Sequence, residues 1–176
     1  MPARQPVKIL ETDRLILRRL DVEDAGFILA LVNEPSWLRF IGDKGVRSLE
    51  DARNYIRKGP MDSYERFGFG LYLTELKGET IPIGMCGLLK RESLNDVDLG
   101  FAFLPQFWRR GFGYESASAV IAYGKTSLGL KRLVALTAPD NESSIGLLEK
   151  LGFTYVRMVK LSEESPESRL FSRDLA

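Results

Sequence analysis

The residues best suited to chemistry in this chain are Phe107-Trp108-Arg109-Arg110-Gly111-Phe112-Gly113-Tyr114-Glu115. They follow an apolar run, Val97 to Leu104, that reads as a buried strand, and precede Ser116 to Leu128, which reads as a helix. A strand, a turn with two glycines and two arginines, then a helix is an arrangement that holds phosphate. Glycines let backbone N–H groups approach an anion with no Cβ in the way. The helix start adds unpaired N–H groups and the positive end of the macrodipole. Arg109 and Arg110 add charge close by. The spacing is not that of a P-loop, because no Lys-Ser or Lys-Thr follows the glycines, and the dinucleotide fingerprint needs a third glycine. On this segment alone, a phosphate-bearing cofactor and a plain Gly-rich turn both remain open.

The chain has no histidine and one cysteine, Cys86. Within one chain this excludes a Ser-His-Asp triad, a Cys-His dyad, a His-containing metal site and an internal disulfide. A general base must therefore be Asp, Glu, Tyr, Lys, Cys or a water relayed to one of them. Cys86 lies in Gly84 to Leu88, which reads as a buried strand where a thiol is inert packing. No metal is expected.

These residues must be positioned by a core, and 176 residues suffice for one domain over 1–176, with 1–8 read as a loose N-terminal tail. Hydrophobic content of 44%, charged content of 28% and a net charge of +1 are ordinary for a soluble globular protein. The charge balance offers nothing to bulk nucleic acid or a membrane surface. With a single cysteine and no signal-like start, a cytoplasmic location is expected.

Arg14 to Leu20 alternates as a first strand. Asp21, with Asp24 as capping-box partner, starts a helix whose apolar face is Val22, Ala25, Ile28, Leu29 and Val32. Trp37 to Gly45 reads as a loop. Ser48 starts a second helix that Gly59-Pro60 is expected to end. Strands follow at Gly68 to Leu76, Ile81 to Lys90 and Val97 to Leu104, with a hairpin turn at Lys77-Gly78-Glu79 and Gly84 and Gly87 marking a bulge or a close approach. After the Gly111 turn come a strand at Lys131 to Thr137, a helix at Asn141 to Leu151 with Gly152 as its terminator, and strands at Thr154 to Leu161 and Arg169 to Asp174. The expected fold is mixed α/β: a twisted, mostly antiparallel sheet of about seven strands flanked by about four helices.

That order, with the two-glycine turn after the fourth expected strand, resembles the GNAT superfamily of N-acetyltransferases. The family's phosphate loop has Gln or Arg three residues before its first glycine, and here Trp108 stands there. Trp108 together with Glu115 resembles the branch of ribosomal-protein N-terminal acetyltransferases. Three further segments agree in order: Glu11-Thr12-Asp13-Arg14-Leu15-Ile16-Leu17-Arg18, Asp98-Leu99-Gly100-Phe101, and Asn141-Glu142-Ser143-Ser144 followed by Glu149-Lys150-Leu151-Gly152-Phe153.

The resemblance implies acetyl-CoA as cofactor and an amine-bearing acceptor, either a protein N-terminus or a small amine, in a monomer or homodimer. Pyrophosphate would sit on the N–H groups of Arg110, Gly111, Phe112, Gly113 and Tyr114, beside Trp108 and Arg109. Phe101, Ala102 and Phe103 would pair through their backbones with the pantetheine arm, which Asn141 would also contact; read from the residues alone, Asn141 is a helix cap. Many relatives carry a catalytic tyrosine where Leu148 stands, so Ser144 is the group expected to serve the departing thiolate. Asp98, through water, and Glu163 compete as base. Trp37, Phe40 and Ile41 would help form the acceptor cleft. A protein α-amine, with a pKa of about 7.7–8.0, needs little help to lose its proton and become the neutral nucleophile, whereas a lysine at about 10.4 needs more. A small-amine acceptor, such as a polyamine or aminoglycoside, predicts a carboxylate cluster, for which Asp43, Glu50 and Asp51 are the nearest candidates. A non-catalytic acyl-CoA sensor is a third reading of the same fold.

Overall fold

Residues 5–176 are described by the computed structural model. Of the expected tail at 1–8, residues 1–4 lie outside the described residues, Gln5 to Val7 are exposed without regular structure, and Lys8 already belongs to a strand. From Lys8 the chain forms β1 (Lys8–Glu11), antiparallel to β2 (Leu15–Arg19). The reason is packing: Ile9 and Leu10 lie against the main core, a pair too short to show a strand period.

A capping box at Asp21 and Asp24 closes a 3₁₀ turn, Val22–Asp24, that runs into α1 (Ala25–Val32). The expected loop after it is partly helical. Pro35, with its fixed φ, opens α2 (Pro35–Phe40), and Trp37 is buried beneath it. Ser48 caps α3 (Leu49–Ile56) by accepting from the Asp51 N–H. Gly59-Pro60 does not end this helix. Arg57–Met61 widens into a π turn that continues as α4 (Asp62–Phe67), and the chain leaves at Gly68 with φ 79. Proline lacks an N–H and its ring crowds the carbonyl four residues back. One extra residue in the turn absorbs both, and burial of Pro60 holds the segment in place.

The remaining elements are β3 (Leu71–Leu76), β4 (Ile81–Leu89), β5 (Val97–Phe103), α5 (Phe112–Thr126), β6 (Arg132–Thr137), α6 (Glu142–Lys150), β7 (Thr154–Val159) and β8 (Ser168–Asp174). The eight strands form one sheet in the order β1-β2-β3-β4-β5-β6-β8-β7. Every neighbouring pair is antiparallel except β5 with β6. The β3–β4 ladder slips a residue beside Gly84, and Gly87 lies so close to β3 that a Cβ there would stand 2.1 Å from the Gly70 carbonyl oxygen. On one face, Phe112, Ala117, Val120 and Ile121 of α5 and Leu148 of α6 pack with Leu17, Tyr72, Leu88 and Leu99 of the sheet. On the other, Ile28, Leu31, Trp37, Ala52 and Ile56 from α1–α3 cover Leu73 and Met85. The sheet therefore separates two cores, and β5 contributes to both.

Candidate active site

The site begins with a failure of pairing. β6 meets β5 only at Val97↔Leu133 and Asp98↔Val134, while β4 follows β5 from Asp98 to Phe103. Beyond Asp98 the two parallel strands diverge into a wedge. Main-chain direction along β5 follows from two hydrogen bonds: the Leu88 N–H turns away from β5 to the carbonyl of Gly70, just before β3, and the Leu104 N–H donates to the Ile83 carbonyl, 2.9 Å away. Alternation then turns Gly100 and Ala102 toward β4, and Phe101 and Phe103 into the wedge. This corrects the expectation for Ala102, whose backbone serves the ladder and whose side chain packs on the α1–α3 face. The Phe103 carbonyl is also taken: Trp108 Nε1 donates to it at 2.8 Å, tying the turn to the end of β5. Phe101, with its N–H and C=O, and the Phe103 N–H remain open to an added strand-like ligand.

The two-glycine turn stands at the mouth of this wedge. A 3₁₀ turn, Pro105–Phe107, carries the chain from β5 to Trp108. Arg109 (φ 59) and Gly111 (φ 83) are both left-handed, and Gly111 is the N-cap of α5. The helix thus starts before Ser116, at Phe112, because Phe112 is buried and anchors its first turn. Among the described residues, the N–H groups of Arg109 to Tyr114 have no protein acceptor, whereas the Glu115 N–H closes the first helical bond onto Gly111. The two glycines are required for different reasons. Gly111 needs its positive φ, and a Cβ on Gly113 would stand 3.0 Å from Leu147 Cδ2 on α6. Arg109, Arg110 and Tyr114 are exposed, and Arg110 lies over the Phe107 and Phe112 rings at 5.8 and 5.1 Å. Unpaired amides, a helix start and two arginines form a cradle for a diphosphate.

A groove of about 500 Å³ leads away from Tyr114 between α5 and the end of α6, with Lys125, Lys150 and Arg173 among its lining residues.

On the far side of the wedge stands α6. The Asn141 side chain accepts from the Ser144 N–H at 3.3 Å, so its oxygen caps the helix while its amide NH₂ has no partner among the described residues. Ser144 is half-buried in the first turn, and its hydroxyl has no hydrogen-bond partner among the described residues. Leu148 is fully buried in the core, so no proton donor stands at that position. Nothing in the sequence marks Thr137 at the end of β6, yet its hydroxyl is buried without a partner.

Asp98 sits at the vertex of the wedge and is 2% exposed. Burial pushes its carboxyl up to about 6, against the hydrogen bond and charge of Arg91, whose Nε lies 2.6 Å away. Glu163 is elsewhere, exposed in the loop between β7 and β8. The start of β8, just after that loop, is tied to the β6–α6 connection by Arg169, which donates to the Pro139 carbonyl at 3.0 Å. Arg39 on α2 pairs with Asp140 at 3.2 Å, bringing α2 against the same connection. Phe40 and Ile41 stay partly open there, but the body of Trp37 belongs to the core, with its indole N–H unpartnered. Burial raises the Cys86 thiol to about 12, which leaves it inert. No group of three His, Cys, Asp or Glu among the described residues is placed to hold a metal ion. No helix among them is long and apolar enough to cross a membrane.

Sequence reading missed Arg14 as part of the site. It bonds Glu115 and the Arg110 carbonyl from the turn between β1 and β2, a relation with no local signal.

Comparison with known proteins agrees with this geometry. The acetyltransferase (GNAT) domain model matches residues 14–154. The chain is 35% identical over 147 residues to the uncharacterized N-acetyltransferase YoaA of Bacillus subtilis (strain 168), covering 82% of each chain. It is 25% identical over 158 residues to the spermidine N(1)-acetyltransferase of Escherichia coli (strain K12), covering 88% of this chain and 76% of that one. In fold it is similar to RimL, a ribosomal L7/L12 α-N-protein acetyltransferase solved in complex with coenzyme A. The TM-score is 0.81 at 20% identity, over 95% of this chain and 97% of that one.

Proposed function

The chain belongs to the GNAT acetyltransferase family and is an acyltransferase, and from that premise we infer that it moves the acetyl group of acetyl-CoA to the N-terminal α-amine of a protein, such as a ribosomal protein. The observation that carries the cofactor half is the wedge: β5 leaves β6 after Asp98, and the unpaired amides of 109–114 stand at its mouth. Phe101 and Phe103 would hold the pantetheine arm through their open main chain, as an added strand. The turn would hold the diphosphate, and Lys125 and Lys150 in the groove beyond Tyr114 would supply charge to the nucleotide end.

Acetyl-CoA supplies the acyl group already activated as a thioester. The protein's share is alignment and proton handling. The NH₂ of Asn141 and the open main chain of Phe101 hold the arm in place. As the amine bonds to the acyl carbon and the C–S bond breaks, the Ser144 hydroxyl would hydrogen-bond the departing sulfur and relay it a proton from solvent. The incoming amine loses its proton to water, with Asp98 or Glu163 as the final acceptor. An α-amine, with a pKa of about 7.7–8.0, asks for no stronger base.

The acceptor half rests on charge. The carboxylates offered by the sequence as candidates for a polycation site, and Asp98, are all engaged. Asp43 pairs with Arg47, Glu50 with Arg53 and Arg57, Asp51 accepts from the Arg47 N–H, and Asp98 holds Arg91. A polyamine's remaining charges would find no free carboxylate cluster among them, which favours a protein N-terminus over a polyamine.

The test is thiol release from acetyl-CoA across peptides starting with Ser, Thr, Ala or Asp, polyamines, aminoglycosides and amino acids, each with an acceptor-free blank. Selective turnover of peptides is the expected result. Turnover of spermidine alone would overturn the acceptor assignment, and binding of acetyl-CoA with no turnover on any amine would favour a sensor.

A further inference from the structure

Arg14 reaches the two-glycine turn from the other end of the sheet. Its Nε donates to Glu115 Oε1 at 2.8 Å, its main-chain N–H to Glu115 Oε2 at 3.1 Å, and its Nη1 to the Arg110 carbonyl at 2.9 Å. Its guanidinium lies over the Phe112 ring, 4.3 Å from the centroid. Thr12 Oγ1 adds a hydrogen bond to Glu115 Oε2 at 2.5 Å. Burial alone would raise the Glu115 carboxyl, but these hydrogen bonds outweigh it and hold the group below the usual carboxylate range. Glu115 is therefore a fixed anchor, and Arg14 is held by it at a defined distance from the turn.

The Arg110 bond has a directional consequence. A trans peptide points its C=O and its N–H in opposite directions. With the Arg110 carbonyl drawn back to Arg14, the N–H of Gly111 in the same peptide must point forward, away from Arg14. The guanidinium charge on the carbonyl also polarises that peptide and strengthens its N–H as a donor. The conformation needs such support, because Arg109 adopts a left-handed φ of 59 that costs a non-glycine residue about 1 kcal/mol or more.

We propose that Arg14 is a positioning residue for the pyrophosphate of CoA: it stands behind the turn, turns the Gly111 N–H toward the diphosphate, and touches no substrate itself. This rests on the cofactor reading given above. It differs from a general structural role in one respect. Arg14 acts on the diphosphate end alone, so its removal penalises a thioester that has a diphosphate more than one that lacks it.

The experiment measures CoA affinity by calorimetry and compares acetyl-CoA with S-acetylpantetheine, which has no diphosphate, as acetyl donors. Wild type, Arg14→Gln and Arg14→Lys are compared, with melting temperature recorded for each. The Gly111 amide resonance is followed on CoA addition. Arg14→Gln is expected to weaken CoA at least about tenfold, to narrow the preference for acetyl-CoA over S-acetylpantetheine by a similar factor, and to lose most of the CoA-dependent shift of the Gly111 amide. Arg14→Lys keeps the charge but cannot hold both Glu115 and the Arg110 carbonyl, so it falls between the two, and it serves as the test if Arg14→Gln does not fold. A folded variant with wild-type CoA affinity and an unchanged donor preference overturns the proposal while leaving the cofactor reading intact. An equal loss with both donors overturns it in favour of a general structural role. If wild type itself fails to bind CoA, the cofactor reading falls and the proposal falls with it.

Discussion

Arg91 Nε stands 2.6 Å from Asp98 Oδ2 at the vertex where β5 and β6 part, and it couples a partly exposed guanidinium to a carboxylate that is only 2% exposed. The pair explains how a charge can sit at the base of the wedge, and why it sits there at a cost. Burial dominates the Arg91 attraction, so the carboxyl moves up from 3.8 to about 6.

A pH dependence follows from that shift. Below about pH 4 Asp98 is protonated whether the chain is folded or not. Between about 4 and 6 only the folded chain keeps the proton, so native stability falls as pH rises through this window. Above about 6 both states are ionised and the loss is constant, on the order of 3 kcal/mol. Asp98→Asn lacks this titration. The stability of wild type relative to Asp98→Asn, measured by urea unfolding, should decline from pH 4 to pH 6 and then level off. A difference that is flat over this range would mean that the carboxyl is not shifted upward.

Gly111→Val places a β-branched residue at φ 83 and a Cβ 3.2 Å from Arg14 Nη2. It strains the turn and pushes on the group behind it. The fold, anchored by Phe112, should survive, and CoA affinity should fall by about tenfold or more, the equivalent of roughly 1.4 kcal/mol. Calorimetry on the folded variant decides this, and unchanged affinity would remove the turn from the cofactor site.

Ser144→Ala removes a half-buried hydroxyl that has no partner among the described residues, so stability should be nearly unaffected. A hydrogen bond made only as the thiolate departs is worth about one tenfold step in kcat, with CoA affinity little changed. Steady-state kinetics beside CoA titrations will separate the two quantities. A variant with wild-type kcat would reduce Ser144 to a residue of the helix's first turn.

Gly87→Ala tests the sheet rather than the chemistry. Its Cβ would lie 2.1 Å from the Gly70 carbonyl oxygen and 2.8 Å from Leu71 Cα, both of them backbone that cannot swing away. Overpacking of this kind costs about 1–3 kcal/mol or more, and the melting temperature should drop by several degrees. A melting temperature equal to wild type would show that β3 and β4 separate without penalty.

Sequence alone carried the short-range features. Asp21, Ser48 and Asn141 cap where they were expected to, since a cap is a bond between residues two or three apart. The glycine turn and the β3–β4 hairpin were visible for the same reason, since a turn needs particular residues at particular positions. The resemblance of four ordered motifs supplied the family. Tertiary structure decided the rest. Pro60 bends α3 into a π turn instead of ending it, because burial outweighs local preference. Ala102 turns its backbone to β4, and Phe103 gives its carbonyl to Trp108, because strand pairing and an indole five residues away settle what remains open. Arg14 meets Glu115 across 101 positions of chain. No spacing rule reaches so far: that contact exists only because α5 packs back across the sheet onto the turn between β1 and β2, and it is packing that brings distant charges within reach.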